Sequence, residues 1–440
     1  MDILIKALQL ILSLSILVVF HEFGHFIAAK SFKTRVEKFY LFFDPWFSLF
    51  KFKKGETEYG IGWLPLGGYV KISGMMDESM DKKQLAKEPE PYEFRSKPAW
   101  QRLIIMLGGV TVNIILAIAI YVMMLFVWGE EYLPTQEVKY GITVDSLAYN
   151  MGLRDGDKIL SIDNNVVKDF SKIQSVIILD EAKSIQVERE GKKLDVAIPK
   201  GFTAEVLDKK VNNFIGIRFP YEVGGFSKES VAKKNGIKKG DRFIALNNTP
   251  LNYFDQYLKE VPKYKNSDVD ITLVRGNDTL TYKVHVPEIG KLGVYSASLD
   301  NYFTLDKKSY SLLEAIPAGA VKAYNGVGNY LKQLKLIFSP EVKAYKSVGG
   351  FMTIGSIFPS VWDWQVFWSL TAFLSIMLAI LNVLPIPALD GGHVAFLLYE
   401  MITGKPASEK FLEYAQIAGM VILFSLLILA NGNDIIRFFF

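Results

Sequence analysis

His21-Glu22-Phe23-Gly24-His25 stands near the end of an apolar run that covers residues 7–29. A helix needs about 20 apolar residues to cross a bilayer, and this run supplies them. On a helix, positions i and i+4 share a face, so both imidazoles can reach one metal ion. The glutamate between them can act as general base on a metal-bound water. Ionisable groups at the centre of such a helix cost about 2.5–3.5 kcal/mol each on insertion scales, so a cluster of them points to a functional site. Only Lys6 precedes the apolar run, and no small-residue cleavage site follows it. The run therefore reads as a retained transmembrane helix and not as a cleaved secretion signal.

Half of the 440 residues are hydrophobic, and the mean hydropathy is +0.19. Those values indicate a membrane protein with a soluble part attached. A net charge of +4, with no basic block beside aromatic residues, argues against nucleic acid as a partner. The chain has no cysteine. Disulfides and thiolate metal sites are thereby excluded, and His, Asp and Glu remain as ligands. The same absence suits a domain facing an oxidising periplasm. Histidines occur at 21, 25, 285 and 393.

Three further runs reach spanning length: 103–128, 364–389 and 414–433. Lysines and arginines crowd the segment 30–102, Lys82, Lys83 and Lys87 among them. The excess of positive charge makes that segment cytoplasmic and puts both termini, and everything between the second and third spans, outside the cytoplasm. His21–His25 and Asp390 then lie at similar depth near the cytoplasmic face.

The segment 129–310 is charged and strand-rich, with Gly, Asn and Asp at its turns. Residues 145–167 align without gaps to 229–251, so that Gly152/Gly236, Gly156/Gly240, Asp157/Asp241 and Asn164/Asn248 coincide. Each copy resembles the PDZ domain, a module that binds extended peptides by adding a strand to a sheet edge. The pair either binds peptide ligands or serves as a spacer and size filter. Downstream, Ile316, Ala320, Tyr324, Val327, Leu331, Leu334 and Phe338 recur at helical spacing. They mark an amphipathic helix that either lies on the outer membrane surface or packs on the PDZ pair.

A catalytic metal typically takes three protein ligands and keeps one position for water. Asp390, in Asn382-Val-Leu-Pro-Ile-Pro-Ala-Leu-Asp-Gly-Gly392, is the best third ligand. The prolines and glycines there break a helix where freed backbone groups need burial or solvation. His393 is the rival ligand, while His285 belongs to a strand-like run in the middle segment.

With HEFGH in the first span, Gly109-x-x-x-Asn113 in the second and NVLPIPALDGG at the end of the third, the chain resembles the site-2 protease family. With the tandem PDZ pattern between its second and third spans, it resembles the bacterial regulator-of-sigma-E protease type. The resemblance implies one zinc ion on His21, His25 and Asp390, with Glu22 activating water. It also implies that Asn382 lies beside the substrate backbone. There an amide could hold an extended strand or stabilise an oxyanion. Gly109 and Asn113 serve either catalysis or helix packing.

Residues 59–71, which include Gly67, Gly68 and Tyr69, resemble the family's membrane-reentrant β-hairpin, whose edge could pair with an unwound substrate. Residues 347–355 match the family only loosely.

The expected fold is a polytopic α-helical membrane protein, with four transmembrane helices, a reentrant β-hairpin and two inserted α+β PDZ domains. Its expected divisions are 1–128 with the first two spans, 129–218 and 219–310 for the PDZ domains, 311–360 for the amphipathic linker, and 361–440 with the last two spans. The expected activity is intramembrane proteolysis in the bacterial inner membrane. Its substrates would be single-pass membrane proteins, such as anti-sigma factors or signal-peptide remnants, during regulated intramembrane proteolysis. A membrane-anchored PDZ receptor without catalysis would have no need of Glu22. A metal transporter would need further acidic or His residues in the second and fourth spans, and these are missing from the sequence.

Overall fold

The computed structural model describes residues 2–65, 67–75, 88–209, 211, 213–340, 342 and 348–439. Lys82, Lys83 and Lys87 of the basic segment, Leu66 of the expected hairpin and Ser347 of the loosely matching stretch lie outside the described residues. The chain forms two compact units: Met1–Gly129, Ser309–Phe338 and Ala344–Phe440 make the first, and Glu130–Lys308 with Ser339–Lys343 the second.

The first unit carries α1 (Asp2–Ser31), β1 (Val36–Leu41), β2 (Phe43–Lys54), β3 (Thr57–Leu64) and β4 (Tyr69–Ile72). Then follow α2 (Ala99–Trp128), α3 (Leu312–Ile337), α4 (Phe351–Ser356), α5 (Trp364–Val383), α6 (Asp390–Thr403) and α7 (Glu409–Phe439). Among the described residues, α1, α2, α5 and α7 are long and apolar enough to cross a membrane.

The inward side of α1 carries Gln9, Ser13, Leu17, His21, His25 and Ala28, a seam spaced by three and four. Large apolar residues such as Leu8, Phe20, Phe23 and Ile27 face outward. That is the inverse of a soluble amphipathic helix. It suits a helix whose outer face meets lipid and whose neighbours are reached through small and polar residues. Ser13 Oγ and Thr371 Oγ1 of α5 share a hydrogen bond of 3.0 Å. Where α1 crosses α2 the backbones nearly touch. A Cβ on Gly24 would stand 2.8 Å from Gly109 Cα, and one on Gly108 would stand 2.5 Å from the Gly24 carbonyl oxygen.

Three features depart from the sequence reading. First, α5 stops at Val383 and does not run on to 389. Leu384 takes an extended conformation at ψ 138°, as a residue before proline does, and Ala388 sits at φ 77°.

Second, residues 59–71 do not form a hairpin. The sheet order is β2-β3-β1-β4, so β1 lies between β3 and β4. It pairs parallel with β3 and antiparallel with β4. The hairpin is β2–β3, turned by Gly55 at φ 62°. β1 holds the middle because its side chains are anchored to both neighbours. The Tyr40 hydroxyl donates to Glu58 at 2.7 Å, and the Tyr40 ring stacks on Tyr69 at 5.3 Å. β4 is left at the end of the sheet with one edge unpaired among the described strands.

Third, α3 exists but buries the opposite face. Ala315, Gly319, Ala323 and Tyr330 are buried, while Ile316, Tyr324, Leu331 and Phe338 are exposed. The helix packs on α2 and α5. Small residues let it approach closely: a Cβ on Gly319 would meet Val122 Cγ2 at 2.6 Å. In a membrane-type unit, the large apolar stripe is the outer face.

The second unit contains two lobes built on the sequence repeat. The first lobe has the sheet Lys158–Ile162, Ser184–Arg189 and Lys192–Ala197, with Ile142–Val144 paired to Ile215–Ile217. The second has Thr249–Pro250, Arg242–Leu246, Ser267–Arg275 and Asp278–Val286, with Val223–Phe226 paired to Val294–Ser296. In each lobe a short helix ends on a left-handed glycine, Gly152 at φ 115° and Gly236 at φ 88°, a conformation glycine adopts without steric cost.

Asp157 and Asp241 then each take an arginine bidentately. The Arg189 distances are 2.7 and 2.8 Å, and both Arg275 distances are 2.7 Å. Each arginine also donates to the carbonyl of its glycine, Gly152 or Gly236. Burial is the largest influence and would raise the Asp241 pKa, but the Arg275 hydrogen bonds, the Lys238 backbone N–H and the charges of both residues together outweigh it and hold the carboxyl below its ordinary value. A depressed carboxylate stabilises the fold above its unfolded pKa and loses that contribution as pH falls through the folded value. Asp241→Asn is therefore expected to lower the melting temperature of the protein at pH 7 and to change it little well below the usual carboxylate range. Thermal unfolding at both pH values checks this, and equal losses at the two would refute the ion pair as the cause.

Candidate metal centre

α1 sets His21 and His25 one turn apart, with their Nε2 atoms 3.3 Å from each other. Asp390 Oδ2 lies 3.3 Å from His21 Nε2 and 3.2 Å from His25 Nε2. That oxygen is buried and accepts no hydrogen bond. Ligand atoms held at about 2.0–2.1 Å around a tetrahedral zinc stand roughly 3.3 Å apart. The triad therefore has the spacing of three zinc ligands around one ion, and the orphaned carboxylate oxygen has no other partner. Among the described residues, the histidine and acidic side chains grouped closely enough to hold an ion are these three.

The outer contacts suit the same arrangement. His25 Nδ1 donates to the Ile105 carbonyl at 2.8 Å, which leaves Nε2 free for a metal. His21 Nδ1 faces Asn113 Nδ2 at 3.2 Å, while Asn113 Oδ1 is buried without a partner. Turning the carboxamide over gives a protonated Nδ1 its acceptor and satisfies the oxygen. That is the tautomer a metal on His21 Nε2 requires. Ser375 of α5 fixes this part of α2 by donating to the Asn113 carbonyl at 2.7 Å. Gly109 is where α2 lies flush on the imidazoles: a Cβ there would stand 2.6 Å from His21 Cε1. Asn382 Nδ2 is 3.2 Å from His21 Nε2.

Asp390 is aimed by the knuckle between α5 and α6. Gly391 and Gly392 are buried, and a Cβ on Gly392 would meet Pro387 Cα at 2.6 Å. Gly419 of α7 touches the same knuckle, its Cβ position 2.9 Å from Pro387 Cβ. Arg102 of α2 pairs with Glu400 and ties down the far part of α6.

Glu22, between the histidines, shares the cavity wall with Val70 of β4 and lies near its backbone. Gly68 lies over it: a Cβ there would stand 2.6 Å from Val18 Cγ1, 2.7 Å from the Tyr40 carbonyl oxygen and 3.6 Å from Glu22 Cγ. Gly67 has φ 149°, beside the Phe43 ring. The Tyr69 hydroxyl is committed to Asp44 at 2.9 Å, so Tyr69 meets the site through its place on β4. A cavity of about 730 Å³ joins these groups, lined among others by Glu22, Tyr69, Val70, Asn382, His393 and Gln416.

His393 lines the cavity on α6 but stands outside the triad. His285 is exposed in the second unit, bonded to Asp268 at 2.8 Å. Gln416 was not anticipated from the sequence. Its only signal there is a carboxamide near the start of an apolar span that also carries Asn431 and Asn433 at its other end.

A His, His, Asp triad beside a carboxylate, in a unit whose helices are long and apolar enough to cross a membrane, is a donor set that suits a membrane metalloprotease. The chain belongs to peptidase family M50, the site-2 proteases, whose profile matches residues 9–426. It is 29% identical over 453 residues to a Neisseria meningitidis protein named "Putative zinc metalloprotease", covering 98% of each chain. A Campylobacter jejuni protein of the same description is 30% identical over 437 residues, covering 98% of this chain and 94% of its own. The "Regulator of sigma E protease" of Haemophilus influenzae is 27% identical over 458 residues, covering 97% of this chain and 98% of its own. The chain is a zinc-dependent metalloprotease of the membrane.

Proposed function

We propose that this protease cuts the membrane-spanning segments of single-pass proteins, with zinc held by His21, His25 and Asp390. The observation that carries the reading is the position of Glu22 on α1, between the two histidines and on the cavity that holds the triad. A zinc ion on these three side chains would supply Lewis-acid activation of water and of a carbonyl. Glu22 takes the proton from the attacking water and passes it to the leaving amine. Asn113 orients His21, and Asn382, beside His21, offers its amide to the substrate or to the developing oxyanion.

A helical substrate has its peptide bonds shielded, so it must unwind. The unpaired edge of β4, reached past Gly67, Gly68 and Tyr69, offers it a strand to pair with. Immersion of the sheet in the bilayer is supported by β2, where Trp46 is 91% exposed beside exposed Phe47, Leu49 and Phe50. The lobes of the second unit act as PDZ domains outside the cytoplasm that restrict or select substrates, in a bacterial inner-membrane protein whose active site lies near the cytoplasmic side. Anti-sigma factors and signal-peptide remnants are the proposed substrates, with the "Regulator of sigma E protease" relative in support.

The test uses the full chain in detergent with a synthetic transmembrane peptide. Cleavage within the apolar segment, lost on chelation and restored by zinc, is expected. A zinc-loaded protein that leaves every such peptide intact would sink the reading.

A further inference from the structure

Gln416 lies on α7, one of the membrane-spanning helices, and is only 5% exposed. Its side chain makes no hydrogen bond to any described residue. Its carboxamide keeps accessible surface on the cavities it lines, and polar groups kept inside a membrane segment mark functional sites by default. Its surroundings say what it is kept for. It lines the 730 Å³ cavity together with Tyr69 and Val70 of β4, Asn382 and Asp390. It stands where that cavity meets a smaller one of about 130 Å³ that it lines with His393, Leu397 and Glu400.

The chemistry of an unwound substrate supplies the missing partner. An extended strand presents backbone N–H and C=O groups along both of its edges. Pairing with the unpaired edge of β4 satisfies one edge and leaves the other facing away from the sheet. In water that second edge would be hydrated, but within the hydrocarbon region it needs protein partners. A carboxamide carries both a donor and an acceptor, so it can match either group of a peptide unit. It does so without the desolvation penalty of a charge. Asn382, adjoining the metal, can serve the peptide at the scissile bond. Gln416, from a different helix, reaches the cavity independently.

We infer that Gln416 is a substrate-holding residue, whose carboxamide hydrogen-bonds the main chain of the extended substrate on the edge that β4 does not pair. The inference rests on the proposed cleavage of membrane segments, and it adds a specific contact from α7. The contact is to backbone, so it holds substrates of unrelated sequence.

The test measures kcat/KM of the full chain in detergent on a transmembrane peptide and on a set of the same peptide, each with one backbone amide near the cut replaced by an ester. An ester removes a single N–H and weakens the carbonyl as an acceptor. Gln416→Leu is expected to lower kcat/KM about tenfold, in keeping with one hydrogen bond, with zinc content at the wild-type level. At one ester position the wild type is expected to lose about as much, and Gln416→Leu to lose little more, because the shared bond is already gone. Gln416→Asn, with a shorter arm, is expected to retain part of the activity.

Ester losses that are equal in wild type and Gln416→Leu at every position would overturn the inference, as would zinc loss in Gln416→Leu. Undiminished cleavage by Gln416→Leu would overturn it too, while leaving the proposed function intact. Failure of the wild type to cut any peptide would instead remove the reading on which the inference rests.

Discussion

Glu22→Gln is expected to leave zinc binding at the wild-type level while kcat/KM on a transmembrane peptide falls by about 10²–10⁴, the range for loss of a general acid–base group. The substitution keeps the side chain's shape and an oxygen that can still face the Val70 backbone. Gly68 and Val18 around it are undisturbed. What disappears is the capacity to accept a proton. Metal analysis of the purified variant beside a cleavage assay checks both halves. Undiminished cleavage would sink Glu22 as the base, and lost zinc would show that the carboxylate serves the metal instead.

Asp390→Ala is expected to strip the protein of zinc and abolish cleavage. Removing an outer-shell partner of a metal typically costs 10–100-fold in affinity, and Asp390 is placed as a ligand, so the loss should be larger. His393→Ala is the control. His393 sits on the same helix and cavity but outside the triad, and zinc is expected to survive its removal. Retained zinc in Asp390→Ala, with loss in His393→Ala, would reverse the assignment of the third ligand.

Much of this site was readable from the sequence, because its chemistry is packed into short motifs with local geometry. His21 and His25 need only a helix to meet. Asp390 needs only the adjacent prolines and glycines to end one helix and begin another. The sheet was less readable. β1 enters between β3 and β4 through parallel pairing with β3, and no residue within 59–71 announces a strand inserted from upstream.

The inverted face of α3 has another cause. Its spacing reads equally well for a helix that buries large residues in a protein core and for one that turns them outward and packs through Ala315, Gly319 and Ala323. Only the surroundings decide between the two. The arginines that bind Asp157 and Asp241 were missed because they lie outside the aligned stretch, at positions 189 and 275. Gln416 was missed because one residue on an apolar helix forms no pattern.

The crossing of α1 and α2 also bears on how this sequence can change. Leu8, Phe20 and Ile27, exposed on the outer face of α1, can be exchanged for other apolar side chains. Positions 24, 108 and 109 have no such latitude. A methyl group at any of them meets backbone or an imidazole closer than atoms can approach, and no rotamer change can relieve a collision with main chain. Drift at these glycines would separate the helices that hold His21 and His25 against Asn113 and Ile105. They are a dimension of the site, fixed by having no side chain at all.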